Sequence, residues 1–265
     1  MERPYWHKQT KSSPLFPDME WSRPENKLHA GKLLVVGGNA HGFAAPAEAF
    51  AESSRAGIGT ARAFLPNAIQ KIVGIIIESA DFGPSTPSGS FSQRALGELL
   101  SEAMWADAVL ISGDLGRNSE TAILIEKFLS KYPHAVTLTK DAVDYGIATP
   151  ESVLNREATL LVLSLSQLQR LATASRFEQP ITFSMDLLRL VDWLHDFTQR
   201  FAPHIIVKHL DTIFVAANGQ VSTTKLTKEI PIWRLKAATH ATVWWLQNPG
   251  KPFDALTSGI LTAIK

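Results

Sequence analysis

Short aliphatic runs that end at a glycine turn or a proline and lead into helix-forming stretches constrain this chain more than any other feature. Lys32-Leu-Leu-Val-Val36 enters the turn Gly37-Gly38-Asn39, helix formers follow from Ala47 to Arg55, and Thr60 to Leu65 reads as the next strand, stopped by Pro66. That is a βαβ unit. The alternation continues with extended Ile72 to Ile77, helical Ser92 to Met104, extended Ala108 to Ile111, helical Ser119 to Lys131 and extended Ala135 to Leu138. Thr159 to Leu163 and a helix from Ser166 to Ala174 come next, then an amphipathic helix over Met185 to Phe201. Strands with no polar face are buried on both sides, so the expected fold is α/β, a three-layer α/β/α sandwich with a mostly parallel central sheet.

The last third changes texture. His204 to Lys208, Thr212 to Ala216 and Gln220 to Thr224 read as short strands, and Asn218-Gly219 marks a hairpin. Two closing helices, near Lys236 to Gln247 and Phe253 to Ile264, are parted by Asn248-Pro249-Gly250. Residues 1–30 read as an N-terminal extension, broken by Pro4, Pro14, Pro17 and Pro24 but carrying aromatic anchors, and residues 31–265 as one α/β domain.

Composition removes whole classes of function. No apolar run approaches the roughly 18 to 20 residues of a bilayer helix, so no membrane partner is expected. Lys plus Arg (26) against Asp plus Glu (25) leaves no global field for nucleic acid. The absence of cysteine removes disulfides and thiolate chemistry and makes a reducing cytoplasm the expected compartment. No H-E-x-x-H or close His/carboxylate set appears, so no metal site is expected, and no G-x-S-x-G elbow supports a hydrolase.

Two glycine loops stand where ligands meet open parallel sheets, at the carboxyl ends of strands. Gly37, Gly38, Asn39 and Gly42 form the first, without the G-x-G-x-x-G spacing of a dinucleotide fold; Gly113, Asp114 and Gly116 form the second. Their backbone N–H groups suit an anionic or ribose-bearing ligand, and equally the glycines serve tight turns. Asp141 has the same two readings, ligand contact or turn former. Gly37, Gly113 and Asp141 are expected to meet at one rim. Phe82 to Phe91 reads as a flexible flap.

Set in order, residues 27 to 265 resemble the ribokinase-like ADP- or ATP-dependent NAD(P)H-hydrate dehydratases, relatives of sugar and vitamin kinases. Lys27 to Gly31 with Leu33-Leu-Val-Val-Gly-Gly38 is similar to that family's Lys-x-x-x-Gly, strand and double glycine. Ala45-Pro46-Ala47 and Arg55-Ala-Gly-Ile-Gly59 resemble its first helix, and Ser112-Gly-Asp-Leu-Gly-Arg117 its Gly-Pro-Gly-Leu-Gly loop. Val207-Lys-His-Leu-Asp-Thr212 resembles Leu-Lys-Gly-x-x-Thr, which implies that Lys208 and Thr212 lead toward a nucleotide, and Pro252-Phe-Asp-Ala255 with Gly259 resembles the helix after the catalytic one.

The departures fall at the chemistry. Val162-Leu-Ser-Leu-Ser-Gln167 stands where the family has Thr-Pro-His-Pro-Gly-Glu, and Thr139-Lys140-Asp141 keeps one carboxylate of Asp-Ala-Asp. Trp233-Arg-Leu-Lys236 stands at the Gly-x-Gly-Asp, so Lys236 lies near the position of the family's acid/base, a role a lysine does not serve at pH 7. The resemblance therefore implies a diverged homologue that keeps the fold and a place for ADP or ATP, and for an NAD(P)H-like ligand, without the catalytic residues. It also implies a homo-oligomer. The alternative is an active dehydratase (a lyase) or a small-molecule kinase with a rearranged site.

Overall fold

The computed structural model describes residues 2–73, 77 and 79–264. In chain order the elements are β1 (Trp6–Gln9), β2 (Lys32–Gly37), α1 (Ala44–Arg55), β3 (Thr60–Pro66), α2 (Gln70–Val73), β4 (Ala80–Gly83) and α3 (Leu96–Trp105). Next come β5 (Ala108–Gly113), α4 (Ser119–Lys131), β6 (Ala135–Thr139), α5 (Ala142–Ala148), α6 (Glu151–Leu154), β7 (Thr159–Ser164) and α7 (Leu165–Ala174). The chain closes with α8 (Leu187–Arg200), β8 (His204–His209), β9 (Thr212–Ala217), β10 (Gln220–Lys225), α9 (Trp233–Gln247) and α10 (Pro252–Ala263).

The strands form one sheet in the order β1-β10-β9-β8-β7-β6-β5-β2-β3-β4. Neighbours run parallel except on either side of β9, which is antiparallel to β8 and β10. The hairpin between β9 and β10 turns at Asn218 and Gly219, both at positive φ, as the dipeptide requires of a tight two-residue loop.

Alternation within the central strands builds the two outer layers. Leu34 and Val36 of β2 face one core with Val109 and Ile111, covered by α3, α4, α5, α7 and α8. Leu33 and Val35 face the other with Leu110, Leu160 and Val162, covered by α1, α9 and α10. This is the expected three-layer sandwich. The adjacent Trp244 and Trp245 diverge, one packing on Met19 and Ala255, the other on the sheet.

The extended run expected at Ile72 to Ile77 is a correction. Ile72 and Val73 end the short helix α2, Ile77 belongs to no strand, and residues 74–76 lie outside the described residues. Ile69, Val73 and Ile77 recur every fourth residue and are buried together against Ala63 and Leu65, a helical spacing inside an apolar run. The strand beside β3 is β4 instead, so Phe82 and Gly83 belong to the sheet and not to a flap. Within residues 1–30, β1 adds a parallel edge strand to β10, held by Gln9, whose Nε2 donates to Thr224 Oγ1 at 2.8 Å and Thr257 O at 2.9 Å.

Helices α9 and α10 approach through Gly259, where a Cβ would lie 2.8 Å from Ala241 Cα. Gly97, exposed on α3, has open space at the same position. Gly259→Ala is therefore expected to destabilise the protein by about 1–3 kcal/mol through overpacking, and Gly97→Ala to stabilise it by about 0.5–1 kcal/mol. Urea unfolding of the two variants beside wild type measures both signs.

Candidate functional site

The carboxyl-terminal ends of β2, β5 and β6 meet at a rim of short loops. Gly37 and Gly113 are register partners, Gly38 N donates to Gly113 O at 3.0 Å, and a Cβ on Gly37 would lie 2.5 Å from that carbonyl. Gly113, Asp114 and Gly116 all adopt positive φ, as does Lys140 across the rim. Gly42 closes the first loop through paired bonds with Asn39, and Asn39 Nδ2 donates to Asp114 O at 2.6 Å.

The rim's two carboxylates serve the protein's own donors. Asp114 Oδ2 accepts from Ala45 N at 2.7 Å, at the start of α1, where no residue of the helix supplies a side-chain cap; its Oδ1 pairs with Lys140 Nζ at 2.9 Å. Anion and helix N-terminus attract, so this cross-loop cap locks α1 to the β5 loop. Asp141 Oδ2 accepts from Leu115 N at 2.9 Å and Gly116 N at 3.2 Å, so its carboxylate fills the nest that the second glycine loop makes. Its Oδ1 is buried without a partner among the described residues. Burial raises the Asp141 pKa, against the backbone donors that favour the ionised form. Tyr145 extends the network, its hydroxyl donating to Gly116 O, and burial raises its pKa too.

Next to this cluster, Gln167 is a polar hub. It completes a capping box with Ser164 at the start of α7, and its Nε2 donates to Lys140 O at 2.8 Å and Asp144 Oδ1 at 3.1 Å. Its Oε1 accepts from Arg234 at 3.2 Å. Arg234 stands at the second position of α9, a helix entered through Ile232 at φ 55 with no side-chain cap. Burial lowers the Arg234 pKa, and Asp144 and Asp141 oppose that shift, which places the guanidinium in the field of both carboxylates.

Gly37, Gly38, Asn39, Gly42, Gly113, Asp114, Gly116 and Asp141 are thus assembled in one place. Lys208 and Thr212 lie apart from them on β8 and β9. Lys208 lines a cavity of about 370 Å³ with Leu210, Asp211, Leu226, Lys228 and Glu229, while the Thr212 hydroxyl donates to Asp211 at 3.1 Å. Lys236 acts on a different neighbour. Burial works to raise the Glu52 pKa, but hydrogen bonds from His240 and Arg55, with the His240 and Lys236 charges, lower it, so the Lys236 charge acts on a carboxylate of α1. The cation that enters the rim from α9 is Arg234, two positions earlier. Arg234, Gln167, Asp144 and Tyr145 are the polar groups that sequence reasoning passed over. The Ser164-x-x-Gln167 capping pattern was the readable sign of one of them.

No protein-family model matches the sequence, and no curated protein matches it significantly. Solved structures do resemble it. A ribokinase-like superfamily protein from Enterococcus faecalis V583 superposes with a TM-score of 0.73 at 13% identity, over 99% of this chain and 88% of that one. The chain has the ribokinase-like fold. An ADP/ATP-dependent NAD(P)H-hydrate dehydratase from Bacillus subtilis, co-crystallised with ATP and Mg2+, matches at 0.58 and 12% identity over 95% and 87% of the two chains. A Staphylococcus aureus pyridoxal kinase in complex with AMP-PCP and pyridoxal matches at 0.53 and 14% over 86% and 84%. Among the described residues no helix is long and apolar enough to cross a membrane, and no three His, Asp or Glu side chains gather as a metal site.

The Asp141 contacts yield a paired prediction. Asp141→Ala strands two backbone N–H groups and is expected to cost about 1–3 kcal/mol, whereas Asp141→Asn keeps an acceptor there and is expected to stay nearer wild type. A carboxyl whose folded pKa is raised binds protons more tightly in the native state, so its stabilisation is complete below the unfolded value of 3.8 and is lost as pH rises through the higher folded value. Urea midpoints across that window should fall for wild type relative to Asp141→Asn.

Proposed function

We propose that this chain is a non-catalytic relative of the nucleotide-dependent NAD(P)H-hydrate dehydratases, binding ADP or ATP at the carboxyl-terminal rim without turning over a substrate. One observation carries the reading: the group that α9 delivers to the rim is the guanidinium of Arg234, hydrogen-bonded to Gln167, and no Asp or Glu lies between Glu229 and Asp254 to act as acid or base. A guanidinium is not deprotonated in a protein, so it binds anions and does not accept the proton of a reacting group.

The residues present fit a nucleotide in part. The backbone nest of the second glycine loop does not suit a phosphate, because Asp141 already occupies Leu115 N and Gly116 N. The cavity beside β8 suits one better, since Lys208 and Lys228 line it and offer cationic donors, and of the two carboxylates on its wall, Asp211 and Glu229, Asp211 pairs with Lys225 at 3.4 Å. The same reading places the protein in a cytoplasm as a homo-oligomer. Trp21, 89% exposed, and Leu28, 87% exposed, are large apolar side chains that a second copy would cover.

Two measurements test the function. With hydrated NADH and either ADP or ATP, no recovery of NADH absorbance above background is expected. Turnover that Lys236→Ala abolishes would restore the active-dehydratase reading. In thermal shift, ADP or ATP is expected to stabilise wild type, by about 2.7 kcal/mol at 100 times the dissociation constant, and Lys208→Ala to lose that shift. Light scattering at micromolar protein is expected to give a mass above the 29.1 kDa monomer.

A further inference from the structure

At the opposite end of the sheet, where β7 and β8 begin, lies a cleft of about 740 Å³ that the reading above does not use. His204, the first residue of β8, and Trp245, in the last turn of α9, form one wall, packed edge to face with ring centroids 5.2 Å apart. Phe201 and Pro252 add apolar surface, and the exposed Arg200 and Glu157 stand at the mouth. The Arg200 guanidinium is 5.5 Å from the Phe201 ring and 5.9 Å from Phe177, so two aromatic faces steady it there.

His204 is the group the fold leaves unserved. The residue is 5% exposed, and its buried Nδ1 has no hydrogen-bond partner among the described residues. Burial holds the ring neutral, with its pKa pushed down to about 4, so at neutral pH it presents one N–H and one lone pair. A half-turn about Cβ–Cγ exchanges Nδ1 with Cδ2 and Nε2 with Cε1, and the bare Nδ1 does not hold the ring in either pose. An unpaired buried imidazole nitrogen costs stability that an apolar ring of similar size would not.

We propose that this cleft binds a small planar aromatic carboxylate, its ring against Trp245 and Phe201, one carboxylate oxygen met by Arg200 and the other taking the His204 N–H. Phosphate-rich ligands fit poorly, because Glu157 offsets the single cation at the mouth. A monoanion with a flat apolar body matches the lining. Nothing here depends on a nucleotide at the other rim.

The test titrates the full chain with benzoate and with indole-3-carboxylate, read by calorimetry and by the 15N shifts of the His204 imidazole, with benzamide as the neutral counterpart. Both carboxylates are expected to bind at millimolar concentration and to move the His204 resonance, and benzamide to bind at least about tenfold more weakly, a difference of about 1.4 kcal/mol. Arg200→Ala, at a solvent-exposed position that leaves folding intact, is expected to weaken binding by a similar factor. His204→Phe is expected to abolish binding while raising the urea midpoint, since it removes the unpaired nitrogen. A histidine kept for packing alone would lose stability on that change and leave binding as it was. Absence of binding by wild type, binding that both variants retain, or binding lost in Lys208→Ala instead would each overturn the proposal.

Discussion

Gly37 and Gly113 stand in contact where β2 and β5 end, and the carboxyl-terminal rim depends on that approach. A Cβ on Gly37 would meet the Gly113 carbonyl and the Ser112 hydroxyl, and Gly113 itself sits at φ 107, a conformation L side chains rarely adopt. Larger residues at these positions would part the two strands and break the bond from Gly38 N to Gly113 O. Asp114 reaches the start of α1, and Asp141 reaches the nest at Leu115 and Gly116, because the loops are held at this separation.

The two ends of the sheet are pinned by opposite charges. At the carboxyl-terminal rim, carboxylates gather backbone N–H groups. At the amino-terminal end, the half-buried Arg156 gathers carbonyls, donating to Tyr132 O, His134 O and Ala158 O and so tying the starts of β6 and β7. Burial lowers the Arg156 pKa to about 10, which still leaves it charged at neutral pH. A charge in either place satisfies several backbone groups at once, which a neutral side chain does less well. The rim's donors are largely consumed within the protein, so a ligand there depends on side-chain cations, Arg234 at the rim and Lys208 in the cavity beside β8.

Elements whose side chains follow one spacing were legible in the sequence. The aliphatic runs of β2, β5, β7 and β8, the Asn218-Gly219 hairpin and the placement of Gly37, Gly113 and Asp141 at one rim all follow from local pattern. Strand β1 is Trp-His-Lys-Gln, an edge strand with polar residues, and its pairing comes from β10 at the far end of the sequence. The helix α2 hid inside an apolar run because strand and helix compete for such runs until packing decides. At the site, loop glycines could be read because backbone geometry demands them. The bonds from Arg234 to Gln167, and from Gln167 to Asp144, join elements whose apposition no local spacing encodes.

The pairing of β1 with β10 also orders the folding of the chain in time. Trp6 is the register partner of Val221, and Gln9 bonds to Thr257 O across 248 residues of sequence. Synthesis runs at about 5–20 residues per second, so the first strand made waits for its partner on the order of ten seconds or more, while β2 finds β3 within one βαβ unit. Contacts at such separation form late and slowly. The N-terminal strand is therefore expected to be the last piece of the sheet to be laid down, a latch that closes once the rest is complete. Until then β10 is an unprotected edge, open to a strand from another chain.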